Sequence, residues 1–310
     1  MEDYPGSLAE FEERFATEAA CVEYLARLRW PDGFVCPQCR ANGAWRTSRG
    51  LWCCQQCGVQ TSVTAGTIFH RTRKPLRLWF RTMWHITTQK YGANALGLRR
   101  VVEPGCYETS WQWLHKLRRA MVRPGRDRLS GYVQVDETYV GGRKKGGKRG
   151  RGAEGKALVV IGVEDKAPKG IGRIRLQHVA DASAESLGGI VQAMIEPGSV
   201  VRTDDWPGYT RLPALGYKRE VLPSMELKLP HLVASLLKRW LLGTYQGAVR
   251  PTHLAYYLDE FTFRFNRRAS RQRGKLFYRL VQQALLVDPV SENELKAEIP
   301  SEENFDDLKL

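Results

Sequence analysis

The sequence predicts an α/β protein with a mixed sheet flanked by helices, preceded by a cysteine-rich module and a helical region. Two CxxC pairs between residues 36 and 57, helical periodicity over 74–121, and a change to period-2 alternation from residue 131 carry this expectation. Ser7-Leu-Ala-Glu10 has the form of a capping box, and Val22, Leu25 and Leu28 continue at helical spacing until Pro31-Asp-Gly33 breaks the pattern. Gly66 ends the cysteine module. Pro75 suits a first helical position, Leu76, Trp79, Phe80 and Met83 form a stripe, and a Gly105 turn precedes a further helix through Met121. Two helices about a glycine turn resemble a helix-turn-helix, and Lys116, Arg118, Arg119 and Arg123 on the second point to DNA, although Trp111, Leu114 and Leu117 also make a core face there.

Strands are expected at Tyr132–Val140, at Ala157–Val163, around Ile174, Leu176 and His178 with Arg173, Arg175 and Gln177 on a solvated face, and at Ser199–Thr203. A helix capped by Ser183 and stopped by Pro197-Gly198 precedes the last of these, and two long helices follow it. The expected organisation is an N-terminal helical segment (1–30), a zinc ribbon (31–66), a helical DNA-binding region (67–128), a sheet domain (129–286) and an acidic tail (287–310). Residues 141–156 form a glycine and basic loop, in which Arg143, Lys144, Lys145, Lys148, Arg149 and Arg151 are candidate phosphate contacts.

With 310 residues and 43% hydrophobic content the chain can bury a core of its own. No apolar run is long enough for a membrane span, and the acidic N-terminus is unlike a secretory signal, so a reducing cytoplasm and association with the nucleoid are expected. The net charge is +15, but residues 287–310 hold eight acids against Lys296 and Lys309, a net −6 that leaves +21 on the remainder. Such a balance suits a polyanion, and double-stranded DNA is the expected partner. P-loop, dinucleotide and Ser-His-Asp signatures are missing.

Cys36-Pro-Gln-Cys39 and Cys54-Gln-Gln-Cys57 have the spacing with which two tight turns grip a tetrahedral ion, and four thiolates imply a closed structural zinc site. Cys53 is an alternative to Cys54, which the symmetric spacing favours. Disulfide or thiol-redox use fits a cytosolic setting poorly, and Cys21 and Cys106 read as small buried residues. Asp136 within YVQVDETYVGG and Asp204 after SVVRT end neighbouring strands, from which two carboxylates can share Mg²⁺ or Mn²⁺ ions. A strand-end Asp in isolation more often caps a turn. Glu137 alternates to the other face of the strand, and Asp205 is a further adjacent acid.

The pieces RWPDGFVCPQC, TSVTAGTIFHRTRKPLRLWF, VDETYVGG, VRTDDWPGY, LLKRWLLGTYQGAV and HLAYYLDEFTFRFNRR, in this order across residues 5–285, resemble bacterial insertion-sequence transposases of the fifteen-ninety-five (ISXO-two-like) family. The resemblance implies an N-terminal zinc ribbon joined to an RNase H-like catalytic domain of the DDE type. It places the first two catalytic acids on Asp136 and Asp204. The third falls on His231, seven residues before Lys238, where many relatives carry Glu. Leu229, Leu232, Val233, Leu236, Leu237 and Trp240 form an apolar stripe, which leaves His231, Ser235 and Lys238 on the opposite face. A neutral imidazole there would ligate a metal, favouring Mn²⁺, while Lys238 and Arg239 meet DNA phosphate. A solvated surface histidine is the plainer alternative, and Glu226 is a substitute ligand should the helix start earlier.

Leu254, Tyr257, Leu258, Phe261 and Phe265 read as a helix closing the domain, with Arg264, Arg267 and Arg268 as further DNA candidates. The implied activity is binding of terminal inverted repeats, with metal-dependent strand cleavage and strand transfer by a dimer or larger assembly. The alternatives are a catalytically lapsed DNA-binding descendant and an RNase H-like nuclease without strand transfer.

Overall fold

A computed structural model describes residues 2–122, 125–141, 156–246 and 249–296. The chain divides into two compact units, one formed by Met1–Pro124 with Ser270–Ala297 and the other by Gly125–Ala269.

In the first unit, α1 (Leu8–Arg14) and α2 (Glu18–Arg29) start on hydroxyl caps, Ser7 Oγ accepting from Glu10 N and Thr17 Oγ1 from Ala20 N. Three short antiparallel strands follow, β1 (Ala44–Arg46), β2 (Trp52–Cys54) and β3 (Gln60–Thr61), in the order β1-β2-β3. Both CxxC turns reverse through a left-handed residue directly after the second cysteine. Glycine fills that place at Gly58 (φ 71°), whereas the other turn uses Arg40 (φ 62°).

Helix α3 (Leu76–Thr88) takes its cap from elsewhere in the chain: Pro75 is the residue before the helix, and Glu18 of α2 accepts from Leu76 N at 2.7 Å and Arg77 N at 3.1 Å. Helices α4 (Ala95–Val102) and α5 (Tyr107–Ala120) pack on one another across the Gly105 turn. Helix α9 (Arg273–Leu286), within the range 129–286 expected for the sheet domain, clusters with these N-terminal helices. Its Phe277 is the hub of an aromatic cluster, with ring centroids 5.4–6.4 Å from those of Phe11, Phe15, Tyr24, Phe80 and Trp84. Gly274 lies so close to the N-terminal segment before α1 that a Cβ there would come within 1.7 Å of the Pro5 carbonyl oxygen. A short α10 (Glu292–Lys296) begins the acidic tail and packs on α5.

The second unit holds a five-stranded mixed sheet, β6-β5-β4-β7-β8, from β4 (Tyr132–Val140), β5 (Ala157–Asp165), β6 (Ile171–Val179), β7 (Val200–Thr203) and β8 (Lys218–Val221). The first three strands form an antiparallel meander, and β7 and β8 add in parallel to β4. Helix α6 (Ala184–Met194) crosses one face, where Val133, Val135, Leu158 and Val160 meet Leu187, Val191 and Met194. Helices α7 (Lys228–Tyr245) and α8 (Leu254–Asn266) cover the other, where Val159, Ile161, Val163, Ile174 and Leu176 meet Val233, Leu237, Leu258 and Phe261. Because both faces are covered, β5 is buried along almost its whole length and reads as a continuous apolar run. This is the RNase H-like mixed sheet that the resemblance implies.

Three expectations change. Arg175, assigned to a solvated face of β6, is buried and donates to the carbonyls of Ala193 and Arg126 at 2.7 Å each, while His178 is exposed. Leu232 is 48% exposed and falls off the apolar stripe of α7. Strand β8 was not legible at all, since its edge position asks little of its side chains. Among the described residues no helix is long and apolar enough to cross a membrane.

Glu164 is enclosed beside β6. Burial would raise its carboxyl, but donors from Arg173, both side chain and backbone, together with Ser130 N, outweigh burial and hold it below the usual glutamate range. A depressed folded pKa gives stability that is present above the unfolded value near 4.5 and lost as pH falls through the folded one. Glu164→Gln should therefore unfold roughly 1–3 kcal/mol more easily at neutral pH and lose less stability on acidification below pH 4.5, measured by denaturant melts across pH. Gly274→Ala should cost about 3 kcal/mol, read in the same melts, by driving the N-terminal segment off α9. Arg40→Gly should stabilise the chain by roughly 1 kcal/mol, since glycine adopts the left-handed turn without strain.

Candidate active site and metal centre

The ribbon brings Cys36, Cys39, Cys54 and Cys57 together, with every sulfur within 4.8 Å of the others. The Cys36–Cys57 and Cys39–Cys54 pairs stand 3.6 Å apart. A zinc ion at Zn–S distances of about 2.3 Å needs sulfurs about 3.8 Å apart, so the cage has zinc's size. Thiolate character is built in at two positions: the amide of Cys39, with that of Gln38, holds the Cys36 thiol down to about 6, and the amide of Cys57 lowers Cys54 in the same way, whereas burial and the neighbouring sulfurs push the Cys57 thiol up to about 12. Cys53 is directed elsewhere, its sulfur 3.4 Å from the Gly58 carbonyl oxygen. Cys21 is buried, but Cys106 is exposed, against the expectation of a small core residue.

The acidic constellation grows out of strand register. Strand β4 pairs in parallel with β7 as Tyr132↔Val200, Val133↔Val201 and Gln134↔Arg202, and two further steps bring Asp136 level with Asp204. Asp204 is one residue past the end of β7, so this register, continued, sets the two residues on neighbouring strands about 4.8 Å apart. Even-numbered residues of β4 face α7, and His231 in its first turns places Nε2 3.0 Å from Asp136 Oδ2. The other oxygen, Asp136 Oδ1, accepts from Glu137 N at 2.8 Å, and Asp204 Oδ1 accepts from Trp206 N at 3.1 Å. Asp136 and His231 line a pocket of about 190 Å³ with Thr138, Ile161, Pro230 and Ala234. Asp204 and Asp205 border an open hollow of about 510 Å³ with Trp206 and Pro223.

Tyr209 reports on the same convergence. It is buried, and its phenol is pushed well above the usual range by that burial and then by the charges of Glu137, Asp136 and Asp204. Three carboxylates thus lie near enough to act on one buried hydroxyl. Among the described residues only the four cysteines are gathered within metal-cage distance, so the set of Asp136, Asp204 and His231 is more open than the ribbon site. Glu226 lies exposed in the turn before α7, which begins at Lys228. Sequence reasoning passed over Tyr209 and Gln134, and the only signals were a tyrosine inside DDWPGY and a polar residue inside an apolar strand.

The basic candidates fare unevenly. Arg143, Lys144, Lys145, Lys148, Arg149 and Arg151 lie outside the described residues. Lys238 and Arg239 are exposed on α7, and partial desolvation, with the charge of Lys156, holds the Lys238 ammonium below the usual lysine range. Arg118 is a correction: it is 2% exposed, beside His115 on the core side of α5, and does not reach a duplex from there. Lys116 and Arg119 are half-buried, and α10 brings Glu292 to Lys116 and Gln112, and Glu294 to Arg119, anchored by buried Leu295. Arg264 pairs with Glu260 at 2.8 Å and Arg268 donates to the Phe265 and Gly172 carbonyls, so both brace the fold.

Residues 128–266 match the family model described as ISXO2-like transposase domain, and residues 16–60 match the transposase zinc-ribbon domain. A relative from Halobacterium salinarum (strain ATCC 700922 / JCM 11081 / NRC-1), described as an uncharacterized protein in transposable element ISH50, is 28% identical over 289 residues, covering 84% of this chain and 94% of that protein. A chain in the cryoEM structure of the simian T-cell lymphotropic virus intasome in complex with PP2A regulatory subunit B56 gamma aligns at 14% identity over 57% of this chain and 66% of that one, with a TM-score of 0.29, too low to carry weight. With one family model on the sheet unit, another on the ribbon, and a transposable-element relative along most of its length, the chain carries a transposase zinc-ribbon domain followed by an ISXO2-like transposase domain.

Proposed function

We propose that this transposase binds the terminal inverted repeats of its element through the zinc ribbon and the helical region, and cleaves and transfers DNA strands at Asp136, Asp204 and His231. The observation that carries the reading is the contact of His231 Nε2 with Asp136 Oδ2 at 3.0 Å, beside a strand register that brings Asp204 level with Asp136. Carboxylate oxygens are hard donors suited to Mg²⁺ or Mn²⁺, and an imidazole in place of a third carboxylate shifts the preference toward Mn²⁺. When bound, two such ions would activate the attacking oxygen and neutralise charge on the phosphoryl group and leaving oxygen.

The chain's own residues set the conditions for that step. Asp136 and Asp204 concentrate negative charge where phosphate must approach, so the site repels DNA until that charge is neutralised. His231 donates to Asp136 through Nε2, and ligation through this nitrogen needs a neutral ring whose proton sits on Nδ1. Lys238, two turns further along α7, supplies a compact positive charge for a backbone phosphate. Water attack would free a 3′-hydroxyl and the same groups would then direct that hydroxyl at a target strand, with neither ATP nor a covalent protein–DNA intermediate. Joining two ends calls for two copies of the chain, as a homodimer or larger assembly on nucleoid DNA in the cytoplasm.

The basic surface favours DNA binding even without catalysis, so a lapsed, DNA-binding descendant is the second reading. Incubation of end-sequence duplexes with the full chain in Mn²⁺ separates them: nicked and joined products are expected, with Asp136→Ala and Asp204→Ala each slowing cleavage at least about 100-fold, ~2.7 kcal/mol in the barrier. Undiminished binding without cleavage in Mn²⁺ or Mg²⁺ would establish the lapsed reading, and cleavage without joined products would establish a nuclease.

A further inference from the structure

The geometry points to Gln134 as a positioning residue that holds the first turn of α7, and with it His231, against Asp136. The inference rests on the reading of His231 as part of the active site. Helix α7 starts without a side-chain cap of its own, because its N-cap residue is Leu227. Its third residue, Pro230, has no N–H to satisfy, and His231 N already reaches the Leu227 carbonyl at 3.4 Å. The amide of Leu229 remains, and Gln134 Oε1 accepts from it at 3.3 Å across from β4. A strand side chain thus does the work of an N-cap.

The glutamine cannot swing freely. It is 6% exposed in the middle of the sheet, and its Nε2 donates to Asp165 Oδ2 at 3.2 Å, which fixes the amide with its oxygen toward α7. Asp165 is held in turn by Arg202 Nη1 at 3.1 Å, and Arg202 Nε donates to Glu220 Oε2 at 3.0 Å. A hydrogen-bonded line therefore runs from β8 through β7, β5 and β4 into the start of α7. Gln134 and Asp136 share a face of β4, one fixing the helix backbone and the other meeting the helix's histidine two residues on. A shift of the first turn by one ångström would part a contact of 3.0 Å, so the pairing depends on this tether.

Gln134→Met keeps the length of the side chain and removes both hydrogen bonds. In the full ¹⁵N-labelled chain the Leu229 amide should exchange about tenfold faster, the equivalent of one net hydrogen bond, and the ¹H and ¹⁵N signals of the His231 ring at fixed pH should move. Half-saturating Mn²⁺ for cleavage of end DNA should rise about tenfold, while metal-free binding of the same duplex stays unchanged. Gln134→Asn, which keeps an amide but draws it back by one methylene, gives the same three readouts if the Met form does not melt cooperatively. An unchanged Leu229 exchange rate and unmoved His231 signals would overturn the inference. If the wild-type chain cleaves nothing, the catalytic reading falls, and the two spectroscopic readouts still decide the role of Gln134.

Discussion

Strand β4 is hydrogen-bonded along both edges, antiparallel to β5 and parallel to β7, and that double constraint governs everything around the site. A slip of one residue against β7 would turn Asp136 toward α6 and move it out of line with Asp204. The register cannot slip cheaply, because Val133 and Val135 are buried under α6 while the alternate residues face α7. Hydrophobic burial on one face thus fixes the position of charge on the other. The carboxylates are placed by main-chain geometry, and only the histidine depends on a helix being brought to them.

The cysteine cluster and the acidic cluster are built in opposite ways. The cysteine cage is closed, compact and supplied with amide donors that favour thiolates at Cys36 and Cys54 before any ion arrives. Its role is to fold a segment too short to bury a core. The acidic site is open, and the charges of Glu137, Asp136 and Asp204 add to burial in raising the Tyr209 phenol.

Much of this was readable in the residues. CxxC spacing announced the ribbon, period-2 alternation located β4 and β6, and a continuous apolar run located β5, because those strands bury their faces and the pattern records it. Strand β8 left no such record, since main-chain pairing to β7 recruits it and its side chains stay mostly outside. Arg118 looked like a DNA contact because a charge on a helix is usually solvated, yet it lies on the same side as Leu114 and Leu117. His231 and Lys238 were assigned to the face away from the apolar stripe of α7, but exposed Leu232 shows that the stripe is narrower than its letters. Gln134 was invisible for a different reason: its role is defined by the amide of a helix 95 residues away, which no local pattern encodes.

Phe277 sits at the hub of the N-terminal aromatic cluster, although the whole sheet unit is threaded between it and Phe80. On a ribosome the ribbon and its neighbouring helices must therefore wait, with their rings uncovered, until the sheet has been synthesised and the chain has returned. The N-terminal helices and the segment carrying α9 are tied into one folding event, although the sheet unit lies between them in sequence. A chain truncated after its sheet strands would lack the ring at the centre of that cluster and leave its front end open.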